Sequence, residues 1–445
     1  MPSKRSPSAT GTTTMNRTEQ GAAMNGLASP DPKRDERADR TPVETATTDY
    51  SRTRKIVLLV MLLTAWVLAN ADRVAMSISI VPITGEFALD AREAGLVLSS
   101  FYVTYAVMNL AAGWLSDRFG SRRVLVFCVL SWSVFTSLTG TAWSLLSLIV
   151  IRALFGVGEG GFAPASSVTI AEAYRKSERA RPKSLVIGAT FLGSAFGTGW
   201  IAAMVHSHGW RFAYHVLGAV GVVMAVGLWF VIKDAPRRGP GKDSRRGPGV
   251  RALFRTPIMR RTATMFFFSN LLMVGLISWM PSYLVKAKHV NLMTAGFASS
   301  LPFICSFVSL NIVGWLLDRY GARKERRFLA GGALMMAVFM GAMVLSSDLW
   351  LLLACWTGCM VSYTFVYGTV FAIPLKRLPD SQVGTAAGVV NFGGQIAAAI
   401  SPAVMGLLIQ HFGGSYVPAM LFLVGAGVCA FGVAATWPRQ SSIEA

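Results

Sequence analysis

The sequence predicts an all-α membrane protein: twelve transmembrane helices in two six-helix bundles. Three observations lead there. First, 53% of the 445 residues are hydrophobic and only 14% are charged, well below the ~25% of a soluble domain. Second, the chain contains twelve apolar runs near the ~20 residues that cross a bilayer core as a helix. Third, one motif occurs twice, about 200 residues apart. Gly113-Trp114-Leu115-Ser116-Asp117-Arg118-Phe119-Gly120-Ser121-Arg122-Arg123 is matched by Gly314-Trp315-Leu316-Leu317-Asp318-Arg319-Tyr320-Gly321-Ala322-Arg323-Lys324. Each copy follows one apolar run and precedes another, so the chain reads as two related halves, an arrangement common in secondary transporters.

Residues 1–55 are rich in Ser, Thr, Pro, Arg and Asp and read as a disordered cytoplasmic tail. They lack the apolar core and small-residue cleavage site of a signal peptide, so the first span is expected to be retained. The spans are predicted at 56–80, 94–115, 124–141, 147–173, 184–205, 211–232, 262–285, 294–317, 328–346, 349–373, 383–410 and 415–437. A Pro-, Gly- and Arg-rich linker, 233–260, separates an N-terminal bundle (56–232) from a C-terminal bundle (261–437), with a short tail at 438–445. The repeated motif falls after span 2 and after span 8, the same place in each half. Lys and Arg set the orientation. One set of loops carries 25 of them; the alternate set carries only Arg92, Arg211, Lys286 and Lys288. Both termini and the linker are therefore expected in the cytoplasm, and the protein in the inner (plasma) membrane as a multi-pass monomer.

The net charge of +20 does not point to nucleic acid, because it sits in short loops between apolar runs. The five cysteines all fall inside apolar runs. Cys355 and Cys359 share a helix face but have no His or acid beside them, so they read as small apolar filler. Gly156-Val157-Gly158-Glu159-Gly160-Gly161 fits G-x-G-x-x-G, yet no strand precedes it, and a dinucleotide fold needs strand–turn–helix context. His206, His208, His289 and His411 lie near loops without metal-ligand company, and His215 begins span 6. No nucleophile–base or metal constellation appears. The chain reads as neither an enzyme nor a cofactor protein.

The doubled motif Gly-x-Leu-x-Asp-Arg-x-Gly-x-Arg-Arg resembles the loop signature of the major facilitator superfamily. The resemblance covers nearly everything after residue 55, and Gly209-Trp210-Arg211 before span 6 is also typical. It implies two bundles around one central site that alternates access by rocking. It further implies that Asp117, Arg118 and Arg122, with Asp318 and Arg319 in the second copy, latch the bundles on the cytoplasmic side. Topology alone also accounts for the arginines. Within the superfamily, Asn70-Ala71-Asp72-Arg73-Val74-Ala75-Met76-Ser77 and Arg152-Ala153-Leu154-Phe155-Gly156-Val157-Gly158-Glu159-Gly160 look like the anion:cation symporter family. Members of that family import organic anions, commonly sugar acids, with protons.

The residue chemistry leads the same way. An ionisable side chain at mid-membrane costs at least ~2.5–3.5 kcal/mol. Asp72, Arg73, Arg152 and Glu159 are all placed there. Arg73 keeps its charge and can hold a carboxylate with its planar fork, so it is the expected substrate anchor; the alternative is a structural pair with Asp72 or an acid in span 4. Arg152 and Glu159 stand seven residues apart, about 10 Å along one helix face. Glu159 sits among four glycines, where burial favours the neutral acid unless a cation offsets it. Asp72, Arg152 and Glu159 are the expected proton-coupling group. Fully ionised, the four charges cancel. An arriving anion then favours uptake of a proton by Glu159 or Asp72, which is the energetic basis of symport.

Polar side chains surround these charges. Tyr102, Tyr105 and Asn109 share a face of span 2. Asn391 and Gln395 in span 11, Tyr363 and Tyr367 in span 10, and Asn270 in span 7 are further candidates to bind hydroxyls, or else glue between helices. Of these, Tyr105, Asn391, Gln395, Tyr363 and Tyr367 are expected, with Arg73, to bind substrate. The expected partners are a small organic anion, protons and the lipid bilayer. A sugar acid such as an aldonate or hexuronate is favoured. An aromatic carboxylate such as phthalate stays open, given Phe266, Phe267, Phe268 and Trp279. Span 5 has Thr190 and Ser194 where some sugar-acid carriers place an amide. It has four glycines and no proline, unlike drug/proton antiporters. Span 7 lacks the central Arg of organophosphate exchangers.

Overall fold

The structure is a computed structural model. It describes residues 50–175, 178–233, 256–320, 324–378 and 380–437. The tail to residue 49, most of the 233–260 linker and the 438–445 tail lie outside the described residues. So do the side chains of Asp117 and of Arg323 in the two motif copies.

The described residues form helices and no strand. The first half holds α1 (Arg52–Glu86), α2 (Ala91–Phe119), α3 (Ser121–Thr139), α4 (Leu145–Gly160), α5 (Phe162–Ala173), α6 (Ala180–His208) and α7 (Trp210–Val231). The second holds α8 (Pro257–Lys286), α9 (Leu292–Tyr320), α10 (Glu325–Leu345), α11 (Leu349–Arg377), α12 (Asp380–His411) and α13 (Val417–Ala435). Eleven segments among the described residues are long and apolar enough to cross a membrane; α2, with 29 residues, fills the remaining predicted span. The fold is thus the twelve-span architecture the sequence predicts.

Local chemistry sets the helix ends. Asp90 and Glu93 form a reciprocal capping box at the start of α2, at 2.7 and 3.0 Å, which satisfies amides the helix itself leaves open. Asp348 caps α11 through the Leu351 amide at 2.8 Å. Gly120 (φ 88°) and Gly209 (φ 84°) join α2 to α3 and α6 to α7. A side chain would be strained at either value, so glycine allows the chain to reverse in one residue.

One predicted span contains a break, although Leu145–Ala173 is as a whole long and apolar enough to cross a membrane. The span read as 147–173 is two helices, α4 and α5, broken at Gly161. Pro164 lacks the amide that would reach the carbonyl of Gly160 four residues earlier. The Asn109 side-chain amide donates to that carbonyl instead, at 3.2 Å.

The halves meet along three helix pairs, α2 with α12, α6 with α9 and α1 with α8. At one end of the α2–α12 seam the backbones nearly touch. A Cβ on Gly406 would strike the Ala91 carbonyl, and one on Gly95 the Pro402 carbonyl. That end lies on the face away from the basic loops. Hydrogen bonds tie the halves there: Ala91 N to Gln410 Oε1 at 3.3 Å, Lys286 Nζ to Thr84 Oγ1 at 3.0 Å, and the Thr198 and Ser300 hydroxyls at 2.8 Å.

Candidate functional site

Between the halves, near the middle of the long helices, lies a cavity of about 180 Å³. Helix α1 supplies Trp66, Asn70, Arg73 and Ser77, spaced four, three and four residues apart, which is one helix face. Tyr102 and Tyr105 come from α2, and Thr190 and Ser194 from α6. The second half contributes Phe266 and Asn270, Tyr363 and Tyr367, and Asn391 and Gln395.

Arg73 is the charge on this wall. Its Nε and Nη2 both contact Glu159 Oε1, at 2.6 and 2.5 Å. Glu159 is fully buried, while the Arg73 side chain keeps 19% exposure, so the guanidinium is the member of the pair that the cavity reaches. The Tyr105 ring lies 4.6 Å from the Arg73 guanidinium and the Phe101 ring 5.3 Å. Glu159 Oε2 has no hydrogen-bond partner among the described residues. Of the alternatives the sequence left for Arg73, the acid in span 4 is the partner here, not Asp72.

Asp72 faces the other way. It is buried and accepts a hydrogen bond from the Thr136 hydroxyl of α3. Arg152 is also buried, with its guanidinium 4.3 Å from the Phe155 ring and 5.5 Å from the Phe101 ring. Its Nε and Nη1 have no hydrogen-bond partner among the described residues. Both guanidinium groups thus lie close to the Phe101 ring.

The polar candidates divide by what they already bind. Asn270 donates to the Gly394 carbonyl at 2.6 Å and accepts from the Tyr363 hydroxyl at 3.1 Å. Tyr367 packs on Tyr363, 5.7 Å between rings. A chain of amides crosses between the halves: Gln395 Nε2 donates to Asn391 Oδ1 (3.4 Å), and Asn391 Nδ2 donates to Asn109 Oδ1 (3.1 Å). Gln395 Oε1 is buried and has no hydrogen-bond partner among the described residues. Thr190 accepts the Trp66 indole N–H at 2.8 Å.

Other candidates fall outside the cavity. Trp279 donates to the Pro402 carbonyl at 3.1 Å, and of the span 7 aromatics Phe266 is the one on the cavity wall. Arg122 donates to the Trp229 carbonyl through Nε at 3.1 Å and Nη2 at 2.8 Å, a contact within its own half. Arg118 lies near the Phe119 ring, 5.7 Å away. In the second copy Asp318 is exposed, and Arg319 lies 5.4 Å from the Trp315 ring. Cys355 and Cys359 are free thiols. No group of three metal-ligating side chains occurs among the described residues.

Trp66 was not singled out from the sequence and Asn70 stood out only within the family-like stretch, though their spacing from Arg73 carries the signal. Thr136 and Phe101 were also missed, and no local pattern marks them.

Residues 57–402 match the family model described as Major Facilitator Superfamily. The chain is 31% identical over 409 residues to a probable sulfoacetate transporter of Cupriavidus necator, covering 85% of this chain and 93% of that one. It is 28% identical to a D-galactonate transporter of Escherichia coli, covering 83% and 92%. A hexuronate transporter of Bacillus subtilis is 26% identical, covering 85% and 92%. Among solved structures, a bacterial homologue of the human lysosomal transporter Spinster, inward-facing and unoccupied, superposes with a TM-score of 0.75 at 19% identity. It covers 87% of this chain and 98% of that one.

Proposed function

The chain belongs to the major facilitator superfamily of membrane transporters, and on that premise we propose that it imports an organic carboxylate by proton symport. The named relatives carry a sulfonated acid, an aldonate and a hexuronate. Their shared chemistry is a small acid with a fixed negative charge, and a polyhydroxy acid fits the amides of this cavity. The observation that carries the reading is the Arg73 fork, held on one oxygen of a buried acid at the cavity wall.

The mechanism follows from that contact. While Glu159 is ionised it occupies the Arg73 fork, and an anion must compete with it. A proton on Glu159 weakens the pair and frees the guanidinium for the substrate carboxylate, which it binds with two parallel N–H donors. Proton and anion therefore favour each other's binding, and by linkage the coupling is reciprocal. Asp72 and Arg152 form a second charged set behind α1 that keeps the four-residue sum at zero. Tyr105, Tyr363 and Tyr367, with Asn391 and Gln395, shape the cavity around the rest of the substrate.

The excess of Lys and Arg supports assigning the face with the basic loops, and both termini, to the cytoplasm. The halves are tied on the opposite face, so the described conformation corresponds to access from inside. The Asp117–Arg118–Arg122 and Asp318–Arg319 segments are assigned to the latch of the alternate state. Phe266 beside Tyr367, 6.0 Å between rings, keeps an aromatic carboxylate as a second reading.

The test is uptake in proteoliposomes against a panel of aldonates, hexuronates, sulfoacetate and phthalate, with and without a pH gradient. Accumulation that follows the gradient, with proton flux, is expected for one acid class. Anion movement with no pH dependence and no proton flux removes the symport reading. No movement of any acid removes the substrate reading.

A further inference from the structure

We propose that a groove between α10 and α11, on the outer surface of the second half, is a binding site for one anionic phospholipid. It is separate from the central cavity and does not depend on which substrate is carried. The groove has a volume of about 340 Å³, with Lys324 and Arg327 at one end and Phe328, Met335 and Phe365 along it. Its position is the level of the second basic motif, where the helices leave the membrane.

Three features fit a lipid. The first is charge. The neighbouring cations are engaged: Arg326 donates to the Ala435 carbonyl at 2.8 Å, and Arg377 pairs with Glu325 at 2.6 Å. Lys324 and Arg327 are exposed, and neither is in an ion pair with a described residue. Two unneutralised cations above an apolar trough match a phosphate headgroup above acyl chains, as in basic pockets between membrane helices.

The second is shape. Gly332 lets α10 and α11 approach, since a Cβ there would meet the Ser362 carbonyl at 3.0 Å and Phe365 Cβ at 3.1 Å. One residue earlier, a Cβ on Gly331 would meet nothing within 4 Å. The trough is this open space. Phe328 and Phe365 stack beside it, 6.1 Å and 17° apart. The third is direction. Met335 and Val338, 40% and 51% exposed, continue the groove's apolar side along α10 toward the bilayer core.

The basic loops set this end in the cytoplasmic leaflet, where anionic lipids concentrate. The headgroup would hold the start of α10 to the membrane surface. A free anion would satisfy the two cations but leave the trough unfilled, so the lipid is the occupant assigned.

Native mass spectrometry of the full chain, with phosphatidylglycerol or phosphatidylcholine added to the detergent, tests this. One phosphatidylglycerol is expected to stay bound where phosphatidylcholine leaves. Lys324→Gln with Arg327→Gln is expected to weaken that binding about 30-fold, about 1 kcal/mol per cation near the surface. Gly331→Leu, which fills the trough and leaves both charges, is expected to weaken it as well. Equal retention of the two lipids overturns the proposal. So does unchanged phosphatidylglycerol binding in either variant, or full displacement by inorganic phosphate.

Discussion

Glu159→Gln isolates the proposed coupling step. In the wild type, Arg73 places Nε and Nη2 on one Glu159 oxygen at 2.6 and 2.5 Å. A hydrogen bond to a charged group contributes about 1.5–3 kcal/mol. An anion that takes over the Arg73 fork must replace that interaction when Glu159 is ionised. Neutralising Glu159 removes the competition, which is worth roughly 10- to 150-fold in affinity at 1.4 kcal/mol per tenfold. The glutamine variant stands in for the protonated state at every pH. At pH 8 it is expected to bind substrate about tenfold or more tightly than the wild type. Linkage of one proton makes wild-type affinity fall by up to tenfold per pH unit as Glu159 ionises, until the roughly 10- to 150-fold competition is fully expressed, and the variant's affinity is expected to be flat. Isothermal titration of purified protein from pH 5 to pH 9, with an acid identified by the uptake panel, reads both quantities. Counterflow exchange should persist, while accumulation against a gradient should vanish. A variant with the wild-type pH slope would falsify Glu159 as the proton site, and loss of binding at all pH values would make the pair purely structural.

Arg73→Lys keeps the charge but loses the fork; binding is expected to weaken roughly 10- to 100-fold, read in the same titration, and wild-type affinity would remove Arg73 as the anchor. Gln395→Leu removes the Oε1 on the second-half wall that has no hydrogen-bond partner among the described residues. Affinity for a polyhydroxy acid should fall about fivefold, the scale of one neutral hydrogen bond, while sulfoacetate, which has no hydroxyl to offer, should bind unchanged. Gly406→Val places a side chain against the Ala91 carbonyl and should hold the halves apart on that face. In a cysteine-free background, a Ser282→Cys reporter in the pocket on that face should then react several-fold faster with an impermeant thiol reagent, and an unchanged rate contradicts the closure described.

Much of the fold was legible because hydropathy and loop charge are local quantities. Each span needs only its own run of apolar residues, and the doubled motif fixes how the halves correspond. The α4–α5 break was less legible. Pro164 and the four glycines before it were in view, but a membrane helix often tolerates a proline, and the Asn109 contact that stabilises the break comes from another helix. The site shows the same division. Arg73 and Glu159 stood out because ions in apolar runs are rare. Their pairing was one of several alternatives and stayed undecided, because it depends on how α1 and α4 are rotated against each other across 86 positions of chain. Asp72 and Arg73 are adjacent in sequence yet face opposite sides of α1, and only packing shows that one is reached from the cavity while the other bonds to Thr136. Asn270 and Tyr363 read equally as ligand groups or as glue between helices; in the structure they line the cavity and bond to each other.

The seam that closes the face away from the basic loops has a character of its own. Lys55–Glu178, Arg73–Glu159, Arg211–Glu86 and Arg377–Glu325 each join residues of one half. The polar contacts of the seam are hydroxyls, an amide and one lysine–threonine contact, set beside close-packed glycine backbone. Contacts of that kind are individually worth about 0.5–1.5 kcal/mol when neutral, so no single one of them bolts that face shut. A carrier so balanced has no built-in ratchet. For the proton symport proposed above, the direction of cargo flow would then be set by the solute and pH differences across the bilayer, and reversing those differences should run the same machine backwards.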